Sequence, residues 1–396
     1  MERPRQAVIL AGGRGTRLAP LTDACPKPMI RFHGRPFLEY LIEMLRDQGF
    51  ERVLLLLGYL PDVVTEYFGD GSRFGVKITY QISPVEDETG TRIARARDQL
   101  DDRFLLLYCD NYWPLDFDRL WGRYLEVGTK ALVTVYDNED NYTRDNLIVN
   151  EGGLVCAYDK SRTTPGLKGV DIGFFILDRT VADLIPTAGN PSFEATVYPK
   201  LIANKDLAAF RTGHRYYSVG THSRLPLTER FLARPKMVLL DRDGTLNVRM
   251  GRAEYVRSWA QWRWLDGARE ALATLTRAGY GIAVITNQPG IARGALESES
   301  LADIHDHMIQ EAAEAGAHID AVYFCPHDWD EGCSCRKPKP GLLFQAQRDF
   351  HLDLSRSYFI GDDPRDGEAA RAAGARFIMV GDDFSLVEAV GVLLKA

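Results

Sequence analysis

The sequence predicts an α/β fold with two domains, each a mostly parallel sheet with helices on both faces. Short apolar runs alternate with segments of helical periodicity in both halves of the chain, as in strand–helix–strand units. This alternation starts twice: "AVIL" (7–10) leads into a glycine-rich loop, and "MVLL" (237–240) leads into "DRDGTLN". The proline-flanked stretch "PLTERFLARPKM" (226–237) is typical of a linker. We therefore expect domains at residues 1–230 and 236–396.

Composition favours a cytoplasmic protein that acts on small molecules. The 396 residues include 45% hydrophobic and 26% charged residues, and the net charge is −7. This charge offers no basic field for nucleic acid or an anionic membrane, so neither is expected as a partner. The longest apolar run, "VLLLLGYL" from Val53, is too short to cross a membrane, and six cysteines are too few for a disulfide framework. The oligomeric state stays open.

The first half contains the elements of one such sheet. A helix is predicted over "FLEYLIEMLRDQG" (37–49), where apolar residues recur at helical spacing and a glycine follows. Buried strands are predicted over "RVLLLLG" (52–58) and over "FLLLYCD" (104–110), which ends on a carboxylate.

The second half repeats the pattern. Helices are predicted over 267–279 and 296–316, each directly before an apolar strand. The strands after the first are "GIAVIT" (281–286), "AVYF" (321–324), "RSYFIGDD" (356–363) and "ARFIMVGD" (375–382).

The segment "LAGGRGTRLAPLTDACPKPM", which begins at Leu10, is a candidate anion-binding loop. Glycines after a buried strand let backbone N–H groups approach an anion closely. Arg14, Arg17 and Lys27 add positive charge that suits a polyphosphate. The spacing is that of neither a P-loop nor a dinucleotide fingerprint. From the glycines alone, a tight surface turn with solvated arginines is an equally open interpretation.

The full string GGxGTRLxPLTxxxPKPM resembles the sugar nucleotidyltransferases, and the resemblance covers roughly residues 5–230. It implies that a sugar 1-phosphate oxygen attacks the α-phosphorus of a nucleoside triphosphate in line, with charge absorbed by Mg²⁺ and cationic side chains. It also implies a role for each matching residue. Asp110 would bind Mg²⁺, Lys160 would bind the sugar phosphate, and Glu194 would contact the sugar. The triphosphate would be bound by Gly12, Gly13, Arg14, Gly15, Thr16, Arg17 and Lys27.

Three positions depart from this family's pattern. Ser218 in "YSVGTHS" stands where the family usually has an aspartate as a second metal ligand, and a hydroxyl is a much weaker Mg²⁺ ligand. In "GTRIA" (90–94), Arg92 and Ile93 are expected to fill space usually left to base or sugar, and Asp171 replaces an asparagine. A domain that binds without turnover is therefore an open alternative.

A pair of acids follows the first strand of the second half. Asp241 and Asp243 in "LLDRDGTLN" (239–247) are separated by one residue, and carboxylates so close repel each other unless a cation lies between them. A solvated turn would also fit the pair alone, whereas a calcium loop would need the spacing DxDxDG…E.

The string DxDGT resembles the haloacid dehalogenase-like (HAD) phosphatases. The resemblance implies that Asp241 is the nucleophile that becomes an aspartyl-phosphate, and that Asp243 protonates the leaving group and then activates water. It implies Mg²⁺ held by Asp241, the Asp243 carbonyl and Asp362, with Asp363 and Asp366 nearby.

Further polar residues are expected at the strand ends of this half. Thr286 would bind the phosphoryl group, followed by Asn287 and Gln288 as substrate-binding residues, and Lys337 would neutralise the phosphoaspartate. Lys339 is the competing lysine, and Lys337 is preferred because the resembling family has its lysine directly after an arginine.

The stretch "CPHDWDEGCSCRKPKPG" (325–341) holds three of the six cysteines. Cys325, His327, Cys333 and Cys335 supply thiolate and imidazole, the ligands that zinc prefers, and four of them close a structural site with no open position. A redox pair would need CxxC, and a nucleic-acid finger would need basic charge nearby.

Together these motifs resemble the D-glycero-D-manno-heptose 1,7-bisphosphate 7-phosphatases and the similar histidinol-phosphate phosphatases, over roughly residues 236–385. The resemblance implies that Arg336 binds the distal phosphate, that Arg249 and Arg252 line the substrate loop, and that structural Zn²⁺ orders the loop carrying Arg336 and Lys337.

A bifunctional enzyme of heptose activation is thereby implied. It would remove the 7-phosphate and then load heptose 1-phosphate onto a nucleotide, with guanosine expected, so that its partners are sugar phosphates and a nucleoside triphosphate. A phosphatase with a degenerate transferase domain and a histidinol-phosphate phosphatase are the alternatives. The net charge of −7 argues against a nucleic-acid end phosphatase.

Overall fold

A computed structural model describes residues 2–251 and 254–395 and divides the chain into two compact units, Met1–Leu232 and Ala233–Ala396. The strands of the first unit are β1 (Gln6–Ala11), β2 (Arg31–Phe32), β3 (Arg35–Pro36), β4 (Arg52–Leu57), β5 (Lys77–Ile82), β6 (Arg103–Tyr108), β7 (Asn111–Tyr112), β8 (Ala131–Tyr136), β9 (Leu147–Val149), β10 (Val155–Tyr158), β11 (Val170–Asp178), β12 (Leu207–Thr212) and β13 (Tyr217–Ser218). Its helices are α1 (Phe37–Asp47), α2 (Pro61–Phe68), α3 (Thr89–Arg95), α4 (Phe117–Val127), α5 (Phe193–Ala203) and α6 (Leu225–Leu232).

The first unit is built on a seven-stranded sheet with the order β12-β8-β11-β6-β1-β4-β5. Strand β11 runs antiparallel to both of its neighbours, whereas the other strand pairs are parallel. Alternate residues of β1 enter different cores, with Ala7 and Ile9 in one and Val8 and Leu10 in the other. Because both faces of the strand are buried, the mostly parallel sheet covered on both sides is confirmed.

The second unit has a five-stranded sheet of parallel strands in the order β16-β15-β14-β17-β18. Val238 and Leu240 of its first strand pack in one core, and Met237 and Leu239 pack in another, so this sheet is also buried on both faces. The strands are β14 (Met237–Leu240), β15 (Gly281–Asn287), β16 (Ala321–Cys325), β17 (Tyr358–Gly361) and β18 (Arg376–Met379), and the helices are α7 (Ala268–Arg277), α8 (Ser298–Glu314), α9 (Gly341–Phe350), α10 (Pro364–Ala373) and α11 (Leu386–Leu393).

The topology brings the predicted motifs to the carboxyl edges of the two sheets. In parallel sheets this edge is where ligands bind. The glycine loop follows β1 and Asp110 follows β6, the neighbouring strand. Asp241 follows β14, and Asp362 follows β17, which pairs with β14. In the described part of the chain, no helix is both long and apolar enough to cross a bilayer.

Candidate active sites

A buried lysine joins two carboxylates at the edge of the second sheet. Lys337 Nζ lies 2.7 Å from Asp241 Oδ1 and 2.7 Å from Asp366 Oδ1, and it donates to the Ile285 carbonyl at 2.9 Å. All three charged side chains are buried. Burial raises the pKa of Asp241 to about 7, and the nearby Asp366 adds to this rise while Lys337 opposes it. Lys337 therefore holds together two acids that would otherwise repel each other.

Lys339, the competing lysine, lies elsewhere. It is exposed, and its Nζ donates to the carbonyls of Gly332 at 3.0 Å and Cys333 at 2.7 Å. Of the two lysines, Lys337 is the one that reaches Asp241.

Three carboxylates around this lysine could hold a metal ion. One oxygen each from Asp241, Asp362 and Asp366 lies within 4.8 Å of the others. Within the described residues, Asp362 Oδ1 is buried and has no hydrogen-bond donor, while Oδ2 accepts from Arg249 Nη1 at 3.0 Å. A buried anionic oxygen without a donor is costly unless a cation lies beside it. Gly244 makes room for this carboxylate, because a Cβ there would lie 2.1 Å from Asp362 Oδ2. The arrangement fits a divalent cation, for which oxygen ligands are preferred.

The second aspartate of the motif is held separately. Arg242 donates to Asp243 through Nε at 3.1 Å and Nη2 at 3.0 Å, Asn247 Nδ2 donates at 3.0 Å, and Gln288 Nε2 donates at 2.8 Å. Arg242 is fully buried, with Nη1 3.1 Å from His305 Nε2. Burial opposes the charge of Asp243, but the Arg242 guanidinium and these donors outweigh it and lower the pKa of Asp243. This carboxylate is therefore ionised as it stands.

The polar residues at the end of β15 mainly organise their neighbours. Thr286 Oγ1 lies 3.5 Å from Asp243 Oδ2 and accepts from Gln288 Nε2 at 2.9 Å. Asn287 exchanges two hydrogen bonds of 3.1 Å with the backbone of Lys337. The Asn287 amide thus fixes the main chain from which Lys337 extends.

A cavity of about 560 Å³ opens above these residues. Its wall has six cationic and five acidic side chains. Cations on this wall suit a substrate with more than one phosphate. Arg336 Nη1 donates to the His327 carbonyl at 3.1 Å, which ties Arg336 to the cysteine-rich loop. Arg252 lies outside the described residues. The cationic residues of the wall are Arg242, Arg249, Arg293, Arg336, Lys337 and Arg365.

The cysteine-rich loop brings its four predicted ligands together. Cys335 Sγ lies 3.2 Å from His327 Nδ1 and 3.2 Å from Cys325 Sγ, and Cys325 Sγ lies 3.7 Å from Cys333 Sγ. Ligands around a tetrahedral zinc ion lie roughly 3.4–3.8 Å apart, given zinc–ligand bonds of about 2.0–2.3 Å. Ligand types and spacing therefore fit a closed four-coordinate metal site.

In the first unit, the glycine loop presents its polar residues outward. Arg14, Thr16 and Arg17 are exposed, and Gly12 is buried at the end of β1. Gly15 has a φ of +67°, a left-handed conformation that glycine adopts without a steric penalty. Arg14 Nη2 lies 3.1 Å from Glu86 Oε1 in an exposed ion pair.

A lysine and a carboxylate meet beside this loop. Lys27 Nζ lies 2.5 Å from Asp110 Oδ2, and both side chains are largely buried. Ser218 pairs with Asn111 between β13 and β7, and the Val219 amide donates to the Asp110 carbonyl at 2.9 Å. Ser218 thus lies next to the Asp110 main chain. One carboxylate is sufficient for Mg²⁺ where substrate phosphates complete the coordination.

A second group of acids lies deeper in the first unit. Glu194 accepts hydrogen bonds from Tyr108, from Ser192 at 2.6 Å and from Thr89 at 3.1 Å. Burial disfavours its charge, but these donors, with the charge of exposed Lys160, lower the pKa of Glu194.

Asp171, close to Glu194, accepts from Tyr198 at 2.6 Å and from the Gly173 amide at 2.8 Å. Burial raises the pKa of Asp171 to about 7. The "GTRIA" segment lies in α3, with Ile93 in the core and Arg92 buried.

Comparisons with known proteins find a different family in each half of the chain. The family model for nucleotidyl transferases matches residues 6–234, and the HAD-hydrolase-like model matches residues 334–391. The D-glycero-beta-D-manno-heptose-1,7-bisphosphate 7-phosphatase of Pseudomonas aeruginosa is 40% identical over 144 residues, which cover 36% of this chain and 80% of that protein. The chain belongs to the nucleotidyl transferases and to this phosphatase family.

Further relatives resemble each unit. The phosphatase of the same description from Bordetella bronchiseptica is 40% identical over 139 residues, covering 35% of this chain and 76% of its own. The crystal structure of HddC from Yersinia pseudotuberculosis has 25% identity and a TM-score of 0.51, covering 58% of this chain and all of that one. The molecule is thus a fusion of a transferase unit and a phosphatase unit, as the motifs predicted.

Several contacts of the phosphatase site were not predicted. Asp366, in the first turn of α10, was expected near Asp362, but its ion pair with Lys337 was not. Arg242 stands between the two motif aspartates, but nothing in the sequence shows that its side chain turns back onto Asp243. Arg293 reaches the cavity because it donates to the Asp328 carboxylate of the cysteine-rich loop, through Nε at 2.7 Å and Nη2 at 2.6 Å.

Proposed function

We propose that this protein catalyses two consecutive steps of heptose activation. The phosphatase unit removes the 7-phosphate of D-glycero-D-manno-heptose 1,7-bisphosphate. The transferase unit then transfers a guanylyl group to the resulting heptose 1-phosphate and releases pyrophosphate. The observation that carries the phosphatase step is the buried contact of Lys337 with both Asp241 and Asp366. The names of the curated relatives support the substrate, and the fusion itself supports the order of the steps.

Asp241 is the proposed nucleophile. The Arg242 amide donates to its Oδ1 at 2.7 Å and Lys337 donates to the same oxygen, which fixes the rotation of the carboxylate. An oxygen of Asp241 would attack the phosphorus, the bond from phosphorus to the sugar oxygen would break, and an aspartyl-phosphate would form. Water would then attack this phosphorus and release inorganic phosphate. Lys337 stabilises negative charge in both steps.

Asp243 would transfer the protons. Because its pKa is lowered, Asp243 is ionised and can accept a proton from the attacking water. For the first step it must carry a proton to the leaving sugar oxygen. An arriving phosphate is an anion, and a nearby anion raises the pKa of a carboxyl group, so substrate binding itself favours proton uptake by Asp243.

Mg²⁺ would be held by Asp241 and Asp362 together with the main-chain carbonyl of Asp243. When bound, the cation offsets the repulsion between the carboxylate nucleophile and the phosphoryl group. Zn²⁺ would be held by Cys325, His327, Cys333 and Cys335 and would have a structural role. Arg249 and Arg336, together with Asn287 and Gln288, line the cavity and would bind the substrate. Arg252, outside the described residues, is proposed as a further substrate-binding residue.

In the transferase unit, the glycine loop, Arg17 and Lys27 would bind the triphosphate, and Asp110 would hold Mg²⁺. Lys160 would bind the sugar phosphate, and Glu194 would contact the sugar. The short Lys27–Asp110 ion pair supports a phosphate-binding role. An incoming phosphate would take the place of Asp110 beside Lys27, and an incoming cation would take the place of Lys27 beside Asp110.

The two activities can be separated with two variants. Purified protein is incubated with heptose 1,7-bisphosphate and each nucleoside triphosphate, and phosphate, pyrophosphate and nucleotide-heptose are measured. Asp241→Asn should release no phosphate yet still convert supplied heptose 1-phosphate, whereas Lys27→Met should release phosphate yet form no nucleotide-heptose. If the wild-type chain releases phosphate but never forms nucleotide-heptose from any triphosphate, the transferase proposal is wrong. Histidinol phosphate as a faster substrate would contradict the heptose assignment.

A further inference from the structure

A buried guanidinium lies directly behind the glycine loop of the transferase unit. Arg92 projects from α3, and only 4% of its surface is exposed. Its Nη1 donates to the Leu57 carbonyl at 2.9 Å and to Ser83 Oγ at 2.8 Å. Its Nη2 donates to the carbonyls of Gly12 at 3.3 Å, of Pro84 at 2.9 Å and of Val85 at 3.1 Å.

These contacts tie together the ends of three adjacent strands. Gly12 follows β1, Leu57 ends β4, and residues 83–85 follow β5, in the order in which these strands lie in the sheet. Main-chain carbonyls that point away from a strand end need donors when they are buried. The carbonyls of Gly12, Leu57 and Pro84 also accept from the amides of Tyr59, Ser83 and Asp87. Arg92 adds a further donor to each of them from one rigid, planar group and so links the three segments.

The fit between this side chain and the loop is close. A Cβ added at Gly12 would lie 2.2 Å from Arg92 Cζ, and one added at Gly58 would lie 2.6 Å from Arg92 Nη1. Both glycines therefore leave the space that the guanidinium occupies. Any side chain at position 12 would push either Arg92 or the loop out of place.

The guanidinium also brings a positive charge close to the glycine loop. Among the described residues, its five hydrogen-bond acceptors are all neutral. The nearest acids are Glu86, Asp87 and Glu88; Glu86 pairs with Arg14 at 3.1 Å, and Asp87 pairs with Arg95 at 2.7 Å. Two of these acids are paired with other arginines, and the third, Glu88, is exposed to solvent. The buried guanidinium is therefore complementary to an anion on the other side of the loop.

We propose that Arg92 is a positioning residue for the triphosphate: it fixes the glycine loop from behind and contributes the positive charge that the bound phosphates need. This inference rests on the proposed transferase function. It also assigns a role to the residue that departs most in size from the sugar nucleotidyltransferase pattern.

The test compares binding of three probes to the full-length chain: guanosine triphosphate, inorganic tripolyphosphate and guanosine. For Arg92→Met we expect the dissociation constants of the two phosphate-bearing probes to rise on the order of tenfold, with that of guanosine nearly unchanged. Arg92→Lys retains the charge and should recover much of the lost affinity. Arg97→Met is the matched control, because Arg97 lies in the short turn that follows the same helix, is partly exposed and pairs with Asp183. Phosphate release by the second unit corrects for the concentration of chain, and guanosine binding reports whether the first unit is folded.

The outcomes separate the inference from the function on which it rests. If the wild-type chain binds none of the probes, the transferase proposal fails and this inference fails with it. If the wild type binds but Arg92→Met weakens all three probes equally, or weakens none, Arg92 only stabilises the fold or does nothing. Tighter triphosphate binding by Arg92→Met would mean that the guanidinium competes for the nucleotide site. Should Arg92→Met unfold the transferase unit, Arg92→Lys decides: weakened phosphate binding with normal guanosine binding supports the proposal, and parallel loss overturns it.

Discussion

Replacing Lys337 with methionine removes the cation between two buried acids while keeping much of the side-chain length. Lys337 Nζ lies 2.7 Å from Asp241 and 2.7 Å from Asp366, and all three side chains are buried. Removing one partner of a buried ion pair costs about 3–5 kcal/mol, because the charge left behind has neither water nor a counter-ion. At about 2–4 °C per kcal/mol for a unit of this size, the melting temperature should fall by roughly 10 °C.

The same contact determines how the stability lost in Lys337→Met changes with pH. The pKa of Asp241, about 7, already exceeds the roughly 3.9 of an unfolded aspartate, and losing Lys337 raises it further. A carboxyl group with a raised folded-state pKa binds its proton more tightly when folded. The destabilisation that comes from ionising this buried carboxyl group is therefore absent at low pH, and it grows as the pH rises towards the folded-state pKa. Lys337→Met should thus lose more stability relative to the wild type at pH 8 than at pH 6.

Thermal melting in magnesium-free buffer, at both pH values, is the appropriate assay, with phosphate release measured in parallel. Lys339→Met is the matched control: its ammonium is exposed and bonds only to carbonyls, so stability should change by less than about 0.5 kcal/mol. Lys337→Met combined with Asp366→Asn should regain part of the stability without regaining activity. If Lys337→Met melts within 2–3 °C of the wild type (roughly 1 kcal/mol), or if Lys339→Met is the variant that loses phosphate release, the reasoning is wrong.

Two further predictions concern the metal sites. Gly244→Ala should raise the magnesium concentration needed for half-maximal phosphate release on the order of tenfold or more, because its Cβ would displace the Asp362 carboxylate. Gly294 also has a positive φ, but a Cβ there would meet open space, so Gly294→Ala should cost only about 1–2 kcal/mol of stability. A magnesium titration of both variants tests this, and equal titration curves would contradict it. Cys335→Ala should lower bound zinc, measured by elemental analysis, and raise the KM for the bisphosphate as the Arg336 loop loosens, whereas the exposed Cys156→Ala should change neither. Unchanged zinc content in Cys335→Ala would exclude the four-ligand site.

Much of the fold and the identity of the motifs could be predicted from local patterns. The strand beginning at "MVLL" and the acids that follow it are adjacent in the chain, so their order is visible without coordinates. The same holds for Cys325, His327, Cys333 and Cys335, whose residue types and spacing define a ligand set. The families of both units followed from such strings, and the comparisons agree.

Side-chain direction was not accessible in the same way. Arg92 looked like an obstruction in the ligand space, whereas its guanidinium turns to carbonyls contributed by three different strand ends. Asn287 and Gln288, predicted to bind substrate, line the cavity, and their amides also contact the Lys337 backbone and Asp243. These contacts join residues far apart in sequence, and no local spacing encodes them.

The sequence by itself determined two α/β units, a glycine loop after one first strand, a pair of aspartates after the other, and a set of four zinc-type ligands. Only the tertiary structure decided which lysine meets Asp241, that Asp366 joins it, and that Arg242 rather than solvent holds Asp243. The reason is physical. Composition and periodicity fix which residues end each strand, but burial and charge pairing depend on how separate strand ends converge, and these set the pKa values and contacts on which the chemistry depends.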